Sequence, residues 1–296
     1  MRATSVSIWL GLIGIYLLAP RVWAVGQDRA LAETPPTPVE TKFEQVVPEH
    51  KISATFARSP HQSRAVVLVH GLRWRDGLAS HKANFESWQR PDSTLVKTLK
   101  KDADVFAFAY GQNVAVDRIA ELAELADNLR RVRQLGYKQM ILVGHSAGGL
   151  IVRQIVEDHA DTGVTKVIQV SAPNGGSDLG KSFQEPFIVS LTKQERQACL
   201  LKRADKKIPA HVEFVCVVSG TLGTDLMVSC RCQWTEDLQQ QGIPAFALHK
   251  NHHNAIASQA GADLIAQLVR EKQPRWDPAK VAAEKKTILG AGKAGG

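Results

Sequence analysis

Six short apolar runs recur through the middle of the chain. Val66-Val67-Leu68-Val69 is continuous rather than alternating, as a strand covered on both faces requires. Similar runs return at Val105–Tyr110, Met140–Val143, Lys166–Val170, Val212–Val218 and Pro244–Leu248. Helical patterns lie between them. Phe85–Lys101 reads as one helix. Ile119, Leu122, Leu125, Leu129 and Val132 recur every three or four residues, which is one face of a second helix, and Gly136 stops it. Leu150–Asp158 and Ile256–Glu271 give two more. Strands and helices in alternation predict an α/β fold, with parallel strands in one sheet and crossover helices on both faces. Gly175–Ala210 breaks this rhythm. It is too long for a connecting loop, and Phe183, Phe187, Ile188, Val189 and Leu191 make part of it apolar.

The two ends differ from the middle. Ile8–Ala19 is apolar but shorter than the roughly 20 residues a spanning helix needs. It follows Met1-Arg2 and precedes Val22-Trp23-Ala24, so residues 1–24 read as a signal peptide cleaved after Ala24. The expected location is therefore exported, periplasmic or secreted; the alternative is an uncleaved N-terminal membrane anchor. Residues 25–48 are rich in Pro, Thr and Glu and read as a lead-in. The folded domain is expected at 49–277, with 177–210 as a candidate lid. Residues 278–296 are Ala, Gly and Lys with little to bury, and read as a disordered basic tail.

Charge changes this picture less than its size suggests. A net +8 on 296 residues invites a polyanionic partner. The leader carries +2 and the tail +3, which leaves +3 for the 253 residues between them. No stripe of interleaved aromatic and basic residues is visible, so no nucleic acid partner is expected. The four cysteines are Cys199, Cys216, Cys230 and Cys232. In an exported protein they could pair, and Cys199 with Cys230 or Cys232 is the first pairing to test. Cys216 lies in an apolar run and reads as a buried free thiol.

The chemistry concentrates at a few positions. Gly144-His145-Ser146-Ala147-Gly148 follows the run Met140–Val143 directly and opens the next helix. A turn that sharp needs glycines on either side, and it holds Ser146 in a strained backbone with its hydroxyl presented. The helix N-terminus beneath favours developing negative charge. Val69-His70-Gly71-Leu72 ends the first strand.

These motifs resemble the α/β-hydrolase superfamily, specifically its serine esterases and lipases, over about Ala65–Lys272. The resemblance implies a mostly parallel central sheet with helices on both faces and a short cap. It implies an oxyanion hole made by the N–H groups of Leu72 and Ala147. It also implies the chain order Ser, Asp or Glu, then His. Gly223–Ser229 resembles the acid loop of lipase-like hydrolases, which makes Asp225 the expected acid. Glu213 is badly placed within a strand, and Glu236 and Asp237 are the runners-up. The base is expected just before the last helix, at His253, with His252 as the alternative. His249 reads as structural and His145 as packing support for the elbow.

Ser171–Ser177 resembles a turn common in lipases. After it, Phe183, Phe187 and Ile188 are expected to roof an acyl-chain pocket. His249, His252 and His253 near Cys230-x-Cys232 fit no zinc spacing, so neither metal nor cofactor is expected. The expected activity is hydrolysis of carboxylic esters through an acyl-enzyme on Ser146, with a small-molecule or lipid ester as substrate and lipid-interface contact left open. The alternatives are thioester or amide cleavage, acyl transfer, or a hydrolase fold used for binding alone.

Overall fold

Seven strands build one sheet: β1 (Thr41–Val47), β2 (Arg64–Val69), β3 (Asp104–Tyr110), β4 (Gln139–His145), β5 (Lys166–Val170), β6 (Glu213–Ser219) and β7 (Ala245–Leu248). Their order is β1-β3-β2-β4-β5-β6-β7, with β1 antiparallel to β3 and every other pair parallel. The computed structural model describes residues 38–48, 55–221 and 223–290. The chain divides into two units, Met1–Pro36 and Thr37–Gly296, and the described residues all lie in the second. The expected leader lies outside the described residues, as does much of the lead-in.

The helices are α1 (Thr94–Leu99), α2 (Val116–Ala120), α3 (Ala123–Gln134), α4 (Ala147–Asp158), α5 (Pro186–Val189), α6 (Lys193–Lys202), α7 (Cys230–Gln233), α8 (Glu236–Gln240), α9 (Asn254–Ala257), α10 (Gln259–Arg270) and α11 (Pro278–Gly290). Strand periodicity sends alternate side chains to opposite faces. Ala65, Val67 and Val69 of β2 therefore join one core, with Ile119, Leu125, Leu129, Ile151 and Ile155 from α2, α3 and α4. Val66 and Leu68 join the other, with Leu95, Leu99, Ile265 and Val269 from α1 and α10. Both faces of the sheet are covered, which is why its central strands are mostly apolar.

The expected strands all form, within a residue or two at their ends. The helices divide more finely. Phe85–Lys101 is a 3-10 turn at Ser87–Gln89 followed by α1. Pro91 cannot continue a helix, and Ser93 Oγ restarts one by accepting from the Val96 N–H at 3.1 Å. Ile256–Glu271 divides in the same way, because Ser258 Oγ caps α10 through the Gly261 N–H.

Two expectations are corrected. The lead-in expected at residues 25–48 holds the edge strand β1 at Thr41–Val47. Its charged Lys42 and Glu44 are exposed, while Phe43 turns inward against Phe106 and Phe108. The expected basic tail contains α11, which packs on β7 and α7 and whose Ile288 and Leu289 are buried in the core. No helix among the described residues is long and apolar enough to cross a membrane.

Candidate functional site

Ser146 stands at the carboxyl end of β4, between the strand and α4, at φ 54° and ψ −127°. A left-handed backbone is rare outside glycine and marks a site the surrounding structure over-determines. Two close approaches hold it there. A Cβ on Gly148 would strike the carbonyls of Val69 and His70, so α4 could not sit this near β2 with any side chain at that position. A Cβ on Gly71 would lie 2.5 Å from Ser146 Cβ, so the His70-Gly71 turn can press against the serine only as glycine. The Ser146 N–H is anchored to Val170 O at 2.8 Å.

Asp225 is carried by the loop after β6 and is 1% exposed. The histidine it meets is His252: Nδ1 donates to Asp225 Oδ2 at 2.7 Å, and the backbone N–H of His252 bonds Asp225 O at 3.2 Å. With its proton on Nδ1, His252 presents a bare Nε2. His253, the histidine preferred from sequence, lines the cavity mouth but makes no bond to Asp225. It is exposed, on the first helical turn entering α9, and consecutive side chains there point in different directions. Burial pushes the Asp225 carboxyl up, but the His252 hydrogen bond and charge, the Ser219 hydroxyl and the Val228 amide together hold it below its ordinary value.

The other acids weighed, the runners-up Asp237 and Glu236 and the badly placed Glu213, do not line the cavity. Asp237 pairs with Arg153 at 2.5 Å, Glu236 opens α8, and Glu213 pairs with Lys166 at the far end of β6.

Ser146, His252 and Asp225 line one cavity of about 330 Å³, together with Leu72, Ile188, Leu191, Met227 and Val228. Ser146 and His252 both line it, with no direct hydrogen bond between them. At its mouth Trp74 is 48%, Leu179 39% and Leu226 79% exposed. Among the described side chains no Lys or Arg lines it.

The three expected roof residues separate. Ile188 lines the cavity, and Phe183 packs on Trp74 at 6.0 Å beside the mouth. Phe187 is corrected to the core: it is fully buried against Tyr110, because α5 turns that side toward α2 and the sheet.

Among the described residues, the backbone amides of Leu72 and Ala147 have no hydrogen-bond partner. The peptide bearing the first is held by His70. The Tyr110 N–H donates to His70 Nε2 at 3.3 Å, so Nδ1 carries the proton and donates to Gly71 O at 2.7 Å. Burial keeps the ring neutral, lowering its pKa to about 4. His145 is also neutral, lowered to about 3 by burial and then by the neighbouring His252 charge. Its Nε2–H donates to His252 O at 3.0 Å, so the elbow grips the loop that carries His252.

Among the described residues no three His, Cys, Asp or Glu side chains converge as metal ligands would. All four cysteines are unpaired. Cys199 on α6 faces Asp117 of α2, whereas Cys230 on α7 faces Ser219 O, so the pairing of Cys199 with Cys230 is not formed.

Sequence reasoning passed over Ser171, Ser219 and Gln233, which surround Asp225 from behind. Isolated serines and glutamines carry no local signal of such a role.

A serine on a strained strand-to-helix turn, facing a His–Asp pair, can carry nucleophilic acyl transfer. The fold is the α/β-hydrolase fold. The chain belongs to the family described as Domain of unknown function (DUF7379), which matches residues 35–222, from before β1 to just short of Asp225. No curated protein matches it. Among solved structures it is similar to the mature form of the lipase BlEst2 of Bacillus licheniformis. Identity there is 15%, with 77% of this chain and 98% of that chain covered and a TM-score of 0.57. It is similar to phospholipase PlaB of Legionella pneumophila at 15% identity, covering 77% and 63%, with a TM-score of 0.56. A metagenomic carboxyl esterase, MGS0156, follows at 15% identity, 74% and 78% coverage, and a TM-score of 0.51.

Proposed function

We propose that the protein is a serine hydrolase of carboxylic esters, with Ser146 as nucleophile, His252 as base and Asp225 as acid. The observation that carries this reading is the buried Asp225–His252 bond opening onto the same cavity as Ser146. Ser146 Oγ attacks the ester carbonyl carbon while His252 Nε2 takes its proton. Asp225 keeps the ring in the productive tautomer and stabilises the imidazolium. The Leu72 and Ala147 N–H groups receive the oxyanion, at roughly 3 kcal/mol of barrier each. The imidazolium then protonates the departing alcohol. A water molecule, deprotonated by the same histidine, attacks the acyl-enzyme and releases the acid.

The cavity also limits the acyl group. Leu72, Ile188, Leu191, Met227 and Val228 in its lining favour a hydrocarbon acyl chain. Trp74, Leu179 and Leu226, exposed around the mouth, favour esters presented at a lipid interface. The lipase, phospholipase and carboxyl esterase named above have the same fold, which supports the reading at the level of fold.

The test is a fluorophosphonate label on the folded protein, with Ser146→Ala beside it, followed by p-nitrophenyl esters of increasing chain length. Labelling that disappears in Ser146→Ala is expected. A wild-type protein that neither labels nor hydrolyses any ester would end the proposal.

A further inference from the structure

Asp225 is held from every side. Its Oδ1 accepts the N–H groups of Met227 and Val228 at 3.0 and 2.7 Å. Its Oδ2 accepts from Ser219 Oγ at 2.6 Å, His252 Nδ1 at 2.7 Å and Gln233 Nε2 at 3.3 Å. Ser171 Oγ lies 2.6 Å from Ser219 Oγ, and both serines are fully buried.

The directions of these bonds follow from the groups themselves. An ionised carboxylate only accepts, so Ser219 must give it its single hydroxyl proton. That proton being spent, Ser171 must donate to Ser219. The result is a one-way chain, Ser171 O–H to Ser219 O–H to Asp225, met from the other side by His252 N–H. Chains of this kind polarise along their length in a low-dielectric interior.

Two further observations mark the chain as built. Ser171 sits at φ 55°, a left-handed conformation that costs a non-glycine residue of order 1 kcal/mol or more. Ser219 is locked by Gln233, whose Oε1 accepts the Ser219 N–H at 2.8 Å and whose Nε2 donates to Ser219 O at 2.9 Å. Gln233 Nε2 also reaches Val228 O at 3.1 Å, tying the end of β6 to the acid loop. None of the three residues lines the cavity, so none touches a substrate.

We propose that the Ser171–Ser219 hydroxyl pair positions the acid: it aims Asp225 Oδ2 at His252 Nδ1 and keeps it a pure acceptor, so that turnover, not substrate binding, depends on it. This rests on the reading of Asp225 and His252 as acid and base. The titratable groups facing Asp225 are His252, then His145 at the end of β4, and Cys230 on α7. Losing the Ser219 hydroxyl removes one of the bonds that lower the Asp225 carboxyl, so the acid limb of activity moves to higher pH.

The experiment uses the full chain as wild type, Ser219→Ala, Ser219→Thr and Ser171→Ala. It has two readouts: p-nitrophenyl ester kinetics, and the downfield proton resonance of the His252 Nδ1–H, which requires no turnover. Ser219→Ala is expected to lower kcat about tenfold with KM changed less than about twofold, the worth of one bond to a charged group. It should also shift the resonance and raise the acid limb. Ser219→Thr, which keeps a hydroxyl, recovers most of the loss, and Ser171→Ala moves both readouts the same way by less. Should Ser219→Ala fail to fold, Ser171→Ala decides by the same two readouts.

Unchanged kcat and resonance in the alanine variants overturn the proposal. So do equal losses in Ser219→Ala and Ser219→Thr that track a fall in Tm, since packing and not the hydroxyl would then matter. A wild type without activity but with a resonance that Ser219→Ala shifts would sink the hydrolase reading while leaving the hydroxyl chain intact.

Discussion

His252 and His253 are adjacent, and only one can face Asp225. Under the proposed mechanism, replacing His252 by Ala should lower kcat by at least about 10⁴-fold, whereas His253→Ala should stay within about threefold. Steady-state kinetics on one ester separates the two, and the reverse result would restore His253. The buried histidines at positions 70 and 145 make a different prediction. Both stay neutral in the fold, with pKa values near 4 and near 3, against 6.5 when exposed. Below about pH 6.5 the unfolded chain takes up protons that the folded chain refuses, so stability falls as pH drops and levels off only below about pH 3. Denaturant titrations at pH 7 and pH 4.5 should differ by a few kcal/mol, and His145→Gln should reduce that difference. The serine and the acid candidate were legible by motif and loop position. The choice between the two histidines was not, because spacing alone cannot say which way a side chain leaves a turn.

Phe187 and Ile188 sit side by side on α5 but serve different environments. Phe187 fills the core against Tyr110, so Phe187→Ala should destabilise by about 3–5 kcal/mol and leave chain-length preference alone. Ile188 lines the cavity, so Ile188→Phe should shift preference toward shorter acyl chains with little change in Tm. A matched series of p-nitrophenyl esters with thermal melts tells these apart, and identical profiles for both variants would count against an acyl pocket here. Deleting residues 278–296 removes Ile288 and Leu289 from the core, at roughly 1.5–3 kcal/mol for each fully buried side chain. A lower Tm with retained activity is expected. An unchanged Tm would mean that α11 contributes nothing to the fold. The buried strands could be read from sequence because both of their faces are covered, and a continuous apolar run follows. β1 escaped because an edge strand with Lys42 and Glu44 exposed leaves only a broken alternation. α11 escaped because only Val281, Ile288 and Leu289 of an Ala- and Lys-rich helix meet the core, too few to make a periodic stripe.

Export and the state of the thiols belong together. If residues 1–24 are a cleaved leader, N-terminal sequencing of the mature protein begins at Val25; a start at Met1 would favour the anchor instead. The four cysteines lie unpaired, so alkylation after unfolding without reductant should modify all four. In the native protein Cys216 should react slowest, since burial pushes its thiol pKa up. Finding a Cys199 disulfide would contradict the arrangement of α6 and α7.

By itself the sequence determined the layered α/β architecture, the place of Ser146 on its turn and the loop that carries Asp225. Each of these rests on local physics: apolar runs, glycines at a forced turn, and acidic residues after a strand. Only the tertiary structure decided which histidine meets the acid, which apolar side chains line the cavity, and that Ser171, Ser219 and Gln233 enclose the carboxylate. Those outcomes depend on where β5, β6 and the loop before α9 come together in space, across sequence separations that no local pattern spans.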